Sequence, residues 1–195
     1  RDQFIDHEPF VQLRIDPYHW TTARRHPDVA REIQAEVQRM LEVKSVLVHG
    51  DYSPKNVIVA DGDVMLLDFE VVHYGNPVFD LAFCLNHLFL KSVYNRHIRK
   101  SYFHAVSSFW QSYTQAVTFA DPQELEAATI RQLGCLMLAR IDGKSPVEYI
   151  KDASTKELVR GTAKVLIRGA CRTLHEVAQL IDIRLQETGS QEPLS

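Results

Sequence analysis

His49-Gly50-Asp51-Tyr52-Ser53-Pro54-Lys55-Asn56, followed twelve residues after Asn56 by Asp68-Phe69-Glu70, decides the fold. The stretch spaces an Asp, an Asn and a second Asp around a short apolar hairpin. Val57-Ile58-Val59-Ala60 and Val64-Met65-Leu66-Leu67 are two apolar runs rich in branched residues. Asp61-Gly62 lies between them with Asp63 following, a strong short-range hairpin signal. Pairing about this turn brings Asn56 and Asp68 to the same open end. A two-residue loop sets Asn56 opposite Leu67; a three-residue loop sets it opposite Asp68. The second register is preferred for a metal site, because directly opposed residues share one face of the pair.

The residues before the hairpin supply a third group. Val46-Leu47-Val48 predicts a short buried strand running into His49-Gly50-Asp51. Gly50 permits a tight bend, and Pro54 keeps the loop out of the sheet. Asp51 then lies beside Asn56 and Asp68 without being forced to ligate anything, the position a general base needs. Phosphoryl transfer from a metal-bound nucleotide calls for this set: one carboxylate toward the attacking hydroxyl and two oxygen ligands for magnesium. Each residue alone is an ordinary turn residue. Their joint spacing after His-Gly points to a site.

With HGDYSPKN at 49–56, LLDFE at 66–70 and GNPVFDLAF at 75–83, the chain resembles the aminoglycoside phosphotransferase and choline kinase group. These are kinase-like small-molecule phosphotransferases. The resemblance covers most of the chain from about residue 28 onward. It implies that Asp51 is the catalytic base, that Asn56 and Asp68 are Mg²⁺ ligands, and that Asp80 braces the catalytic loop. ATP or GTP is the implied phosphoryl donor, and a hydroxyl of a small molecule the acceptor. The loop is also similar to that of protein kinases, but Gly50 stands where those usually carry Arg, and Ser53 where they usually carry Lys. The gap between Asp68 and Asp80 is too short for a protein-kinase activation segment.

The implied fold class is α+β and mainly helical, a protein-kinase-like C-terminal lobe with a small catalytic β-hairpin. Its expected layout is a lead-in over 1–27, the loop, metal hairpin and a buried helix over 28–93, and a helical acceptor-side region over 94–188. No Gly-x-Gly-x-x-Gly and no Walker-type loop occurs. Too few residues precede His49 for an ATP-binding N-terminal lobe, so that lobe of the same protein is expected to be missing from this chain. A kinase-like interaction module without catalysis is the alternative expectation.

Composition agrees with one globular domain: 195 residues, 45% hydrophobic, 24% charged, net charge −3. No basic stripe calls for nucleic acid or an anionic membrane. The longest apolar run, Val78 to Leu90, is interrupted by Asp80, Asn86 and His87 and is too short to span a bilayer. Cys84, Cys135 and Cys171 are odd in number and far apart, as expected of buried free thiols in a reducing, cytoplasmic setting. No histidine pair has the spacing of a zinc site.

The remaining elements follow from periodicity. Phe10 to Ile15 alternates weakly, as a strand would. Asp16-Pro17 and Pro27-Asp28 each predict a helix start, the second with a stripe of Val29, Ile33, Val37, Met40 and Leu41. Phe79 to Leu90 is apolar all round and predicts a buried central helix. A helix from about Asn95 to Phe119 is followed by one that Asp121 caps and Pro122 opens, running to about Arg140. Pro146 to Ile150 predicts a short helix. One final helix is expected from Thr155 through Leu158, Leu166, Leu174, Ile181 and Leu185. A polar frayed end is expected over Glu187 to Ser195. Phe103, Phe109, Trp110 and Tyr113 are expected in the core, with a minor expectation that some line a pocket for a cationic acceptor.

Secondary candidates complete the set. Glu70 either assists the metal or is solvated. His49 is expected to hold the loop by hydrogen bonding. Lys55 meets a phosphate or an acidic neighbour, or stands in solvent, the last being favoured. Arg140, Asp142 and Lys144 lie in a charged loop that, in folds of this kind, flanks the acceptor cleft.

Overall fold

The computed structural model describes residue 4 and residues 6–189. Helices dominate, with two small antiparallel sheets. A short α1 (Glu8–Phe10) runs without a break into a π-helix (Val11–Trp20) and then α2 (Thr21–Arg25). After α3 (Ala30–Glu42) come β1 (Val46–Val48), a 3₁₀ turn (Pro54–Asn56), the hairpin β2 (Val57–Ala60) and β3 (Asp63–Leu66), and β4 (His73–Gly75). The rest is α4 (Val78–Tyr94), α5 (Arg99–Ala116), α6 (Pro122–Asp142), α7 (Ala153–Ile167) and α8 (Leu174–Gly189). None of the helices described is long and apolar enough to cross a membrane.

β1 pairs with β4, setting Val48 against His73, and β2 pairs with β3 as a separate sheet. The hairpin register is Val57↔Leu66 to Ala60↔Asp63. Its turn is therefore the two residues Asp61-Gly62, both at positive φ, +52° and +87°. That corrects the three-residue register favoured from the sequence. Left-handed backbone at both central positions suits a two-residue turn whose twist matches the strands. The Leu67 N–H donates to Asn56 O at 2.9 Å, so Asn56 faces Leu67, one position from Asp68.

The core sits where α4 crosses α6 and α7. Phe79, Leu85, Phe89 and Leu90 of α4 meet Leu133, Leu136 and Met137 of α6 with no exposed surface to speak of. The apolar run that predicted a buried helix is α4. Gly134 lets α6 lie against α7: a Cβ there would meet Ala163 O and Ile167 N at 2.8 Å each. Asp121 caps α6 with its carboxylate accepting from Gln123 and Glu124 N–H, as the sequence predicts.

Other expectations are corrected. The segment 10–15 is helical, and Pro17 lies inside the π-helix instead of opening a helix. A helix closed by i→i+5 bonds needs more residues per turn than the usual 3.6. Phe10, Arg14, Ile15 and His19 therefore share one buried face, and read as linear sequence they mimic no standard period. α3 begins at Ala30, because the Asp28 carboxylate pairs with Lys164 of α7 and with Arg168 just after it instead of capping. α5 starts at Arg99 after a 3₁₀ turn over Arg96–Ile98. Residues 146–150 form no helix. The single C-terminal helix is two, α7 and α8, separated near Gly169 at φ +73°. Glu187 to Gly189 belong to α8, and 190–195 lie outside the described residues.

Candidate active site

β1 delivers the chain to a bend that only glycine tolerates. Gly50 sits at φ +78°, and a Cβ there would meet Val71 Cγ2 at 2.7 Å and Val71 O at 2.9 Å. Val71 belongs to the segment between the hairpin and β4, so the bend is pressed against the chain that follows Asp68.

Asp80, in the first turn of α4, faces this bend. Its carboxylate accepts from His49 N–H at 2.6 Å and from Gly50 N–H at 2.9 Å. Burial pushes this carboxyl up to about 6, against the pull of the two amides. The sign of the linkage follows. A folded value above the unbound 3.8 means that stability from this group is fully present below about 4 and is lost as pH rises through about 6. Asp80→Ala leaves two enclosed N–H groups without an acceptor, at about 1–3 kcal/mol each. We expect at least tenfold faster hydrogen exchange at the His49 and Gly50 amides, and a flatter stability profile between pH 4 and 7. Unchanged exchange at both amides would refute a bracing role.

His49 joins the loop to the hairpin. Its Nδ1 accepts from Asp51 N–H at 3.2 Å, which leaves Nε2 to donate to Leu67 O at 2.9 Å. Its ring rests against Phe69, with centroids 4.9 Å apart.

Asp51 is buried. All its side-chain contacts converge on Oδ2: Asn56 Nδ2 donates at 3.0 Å, Lys55 Nζ lies at 3.1 Å and Arg14 Nη2 at 3.4 Å. The same Asn56 Nδ2 also donates to Asp51 O at 2.9 Å, which fixes the amide and turns its own Oδ1 away. Among the described residues, none of these contacts falls on Asp51 Oδ1. Asp68 stands at the hairpin's end, exposed, at φ +68°, an uncommon conformation for a side-chain-bearing residue and one that redirects its carboxylate. Glu70 is exposed and lies 3.9 Å from Arg14 Nη2.

Asn56 and Asp68 fit a magnesium ion in kind. They offer one amide oxygen and one carboxylate from the same end of a hairpin, and Mg²⁺ habitually completes its shell with water and substrate phosphates. Among the described residues, no group of three or more His, Cys, Asp or Glu forms a dedicated metal cage.

The charged segment expected as a loop is partly helical: Arg140 and Asp142 lie in the last turn of α6 and only Lys144 lies beyond it. Asp142 accepts from Arg160 at 2.6 and 3.0 Å and lies 3.0 Å from His26. Lys144 pairs with Asp16 at 2.6 Å. Both are committed to holding α6, α7 and the N-terminal helices together. Arg140 donates to Ser145 O at 2.6 Å, and its buried Nε has no partner among the described residues. His87 of α4 is pulled down to about 4, chiefly by burial and next by Arg140; Asp51 and Lys55 are also within its electrostatic reach.

A cavity of about 280 Å³ opens beside the loop, walled by His49, Tyr52, Phe69, Asp80, Phe109 and Tyr113 among others. Asp51 does not line it. Phe109 and Tyr113, expected in the core, are partly buried and line this space. Cys84, Cys135 and Cys171 are free thiols, the first partly exposed.

Arg14 is the residue that the sequence did not flag. It is 9% exposed, and its Nε donates to Gly50 O at 2.7 Å. The available signal is an arginine inside the run Phe10 to Ile15, where a π-helical period looks like weak strand alternation.

A model of the phosphotransferase enzyme family matches residues 4–115, which takes in the N-terminal helices, the loop, the hairpin, α4 and most of α5. No curated protein matches the chain.

Proposed function

The chain belongs to the phosphotransferase enzyme family, and from that premise we propose that it moves the γ-phosphoryl group of ATP, as its Mg²⁺ complex, to a hydroxyl of a small molecule. The observation that carries this is the division of labour at Asp51. Its Oδ2 is fully engaged by Asn56, Lys55 and Arg14, which leaves Oδ1 for an incoming hydroxyl.

Asp51 Oδ1 orients the acceptor hydroxyl and takes its proton. The acceptor oxygen forms a bond to the γ-phosphorus as the bond to the departing ADP oxygen breaks. Asn56 Oδ1 and the Asp68 carboxylate would hold Mg²⁺, which would supply neutralisation of the phosphate charge. Asp80 keeps the His49–Gly50 bend in place beneath them. Lys55, largely exposed and reaching over Asp51, swings between Asp51 and a phosphate. Glu70 stays solvated beside Arg14. Arg140, in the last turn of α6 with a buried Nε that meets no partner among the described residues, is assigned to the acceptor side.

In this proposal the chain is a kinase-like lobe. Its catalytic loop, hairpin and α4 lie within 28–93 and its acceptor-side helices within 94–188. A nucleotide-binding lobe of the same protein is the partner that completes the clamp on ATP.

Calorimetry with Mg²⁺ and ATP tests the metal half. Binding is expected to need Mg²⁺ and to weaken at least tenfold in Asp68→Ala, since a lost ligand leaves Asn56 alone on the protein side. Equal affinity in the variant, or binding indifferent to Mg²⁺, would remove Asp68 from the site.

A further inference from the structure

We propose that Arg14 is a positioning residue for the phosphoryl-transfer site, delivered to Asp51 by the π-helix; this rests on the assignment of Asp51 as the base.

Burying a guanidinium is unfavourable unless its donors are met. Arg14 meets them almost entirely at the site. Nε donates to Gly50 O at 2.7 Å, Nη1 to Leu13 O at 3.0 Å, and Nη2 lies 3.4 Å from Asp51 Oδ2 and 3.9 Å from Glu70. One rigid fork therefore spans the bend, the base and the acidic residue after Asp68. A lysine carries the same charge but cannot hold two directions at once. Lys55, the other cation on Asp51, has a side chain 64% exposed, against 11% for Arg14. Lys55 is free to leave when substrate arrives. Arg14 is the permanent counter-ion.

The π-helix explains how a helix can present this residue. In a 3.6-residue helix, positions nine apart face opposite sides. Phe10 and His19 are nine apart, yet both are buried. The wider turn puts Phe10, Arg14, Ile15 and His19 on one face, and the Thr21 N–H donates to Asp16 O, five residues back. Phe10 and Ile15, fully buried before and after Arg14 in the chain, anchor that face. His19, 3.1 Å from Gln132 of α6, pins the same face to the core. π-Helical geometry is uncommon, and where it occurs it frequently marks a functional site.

The geometry also assigns a specific job. With Oδ2 fixed by Arg14 and Asn56, the Asp51 carboxylate cannot rotate to exchange its two oxygens. Oδ1 is then the face offered to a hydroxyl. Loss of Arg14 frees that rotation and releases the Gly50 carbonyl.

The test compares Arg14→Lys and Arg14→Ala with wild type in two measurements. The first is hydrogen exchange across residues 50–56, which needs no turnover. The second is hydrolysis of Mg·ATP, with water as acceptor, with and without added ethylguanidinium. In both variants we expect loop exchange to rise at least tenfold while α4, α6 and α7 keep their protection. Turnover is expected to fall at least tenfold with KM for ATP unchanged. Ethylguanidinium, but not ethylammonium, should restore part of it in Arg14→Ala. Should Arg14→Ala fail to fold, Arg14→Lys decides alone, because it keeps the charge and loses the fork. Wild-type exchange and turnover in Arg14→Lys would overturn the proposal. No hydrolysis by wild type, with loop protection still tracking Arg14, would instead count against phosphoryl transfer and leave the positioning role standing.

Discussion

Asp51→Asn should lower turnover by roughly 10²–10⁴-fold, the range of a positioned general base. The replacement has the same shape and keeps an oxygen, so a fold effect is not the expected cause. What it loses is the ability to take a proton at Oδ1. It loses charge at Oδ2 as well, where Asn56, Lys55 and Arg14 now converge. An amide nitrogen facing three donors is a poor partner, so the Asn is expected to turn its oxygen toward them. Its NH₂ group then points at the incoming hydroxyl, where a base is needed. Affinity for Mg·ATP should change little, because Asn56 and Asp68 are untouched. The measurement is kcat with Mg·ATP, alongside calorimetric binding. Turnover equal to wild type would mean that Asp51 is not the base.

The second large effect concerns stability. Gly134→Ala places a Cβ at 2.8 Å from Ala163 O and Ile167 N and 2.9 Å from Leu166 Cβ. Two of these are backbone atoms in α7, which no rotamer change can move aside. The helices must separate through the centre of the core. Alanine improves helix propensity by about 1 kcal/mol over glycine. Overpacking costs typically about 1–3 kcal/mol, and more where backbone must move. The clash wins, with an expected net loss of about 2 kcal/mol or more. At this size that is a fall in Tm of roughly 4–8 °C. Gly161 of α7 supplies the contrast in the same experiment. A Cβ there meets only the end of the Arg184 side chain, at 2.9 Å, so Gly161→Ala should hold or raise Tm. A Gly134→Ala protein as stable as wild type would show that α6 and α7 do not approach so closely.

The loop and hairpin were legible because their information is local. Asp61-Gly62 specifies a turn, and a turn fixes which ends of two strands meet. The register is set by turn chemistry, which outweighs any preference for directly opposed ligands. Two consecutive positive φ values suit a two-residue loop, and that loop puts Leu67, not Asp68, across from Asn56. Asp121-Pro122 is legible for the same local reason.

The N-terminal segment was not. Arg14, Ile15 and His19 share a face only if the helix widens, and nothing in the letters from Phe10 to Trp20 signals i→i+5 bonding. Pro17 and the alternating residues before it argued for a break. The packing of His19 on Gln132, more than a hundred residues on, lies outside any local pattern. Similarly, Asp142 and Lys144 looked available because charges in a loop look solvated. Their partners, Arg160, His26 and Asp16, come from three different elements. α7 and α8 read as one helix in the sequence because apolar residues recur at helical spacing on both sides of residues 168–173, a stretch that leaves helical geometry and holds Gly169 at φ +73°.

The hairpin itself carries one more implication. β2 and β3 form a sheet of their own, and Val59, Val64 and Met65 are each more than 60% exposed. A lone two-stranded ribbon is marginally stable in water, so its open end is drawn from the low-stability part of the fold. Whatever occupies Asn56 and Asp68 must also still this ribbon. The heat capacity and enthalpy of that occupation then report local ordering together with coordination, and a weak apparent affinity is compatible with well-made ligands on an unsteady support.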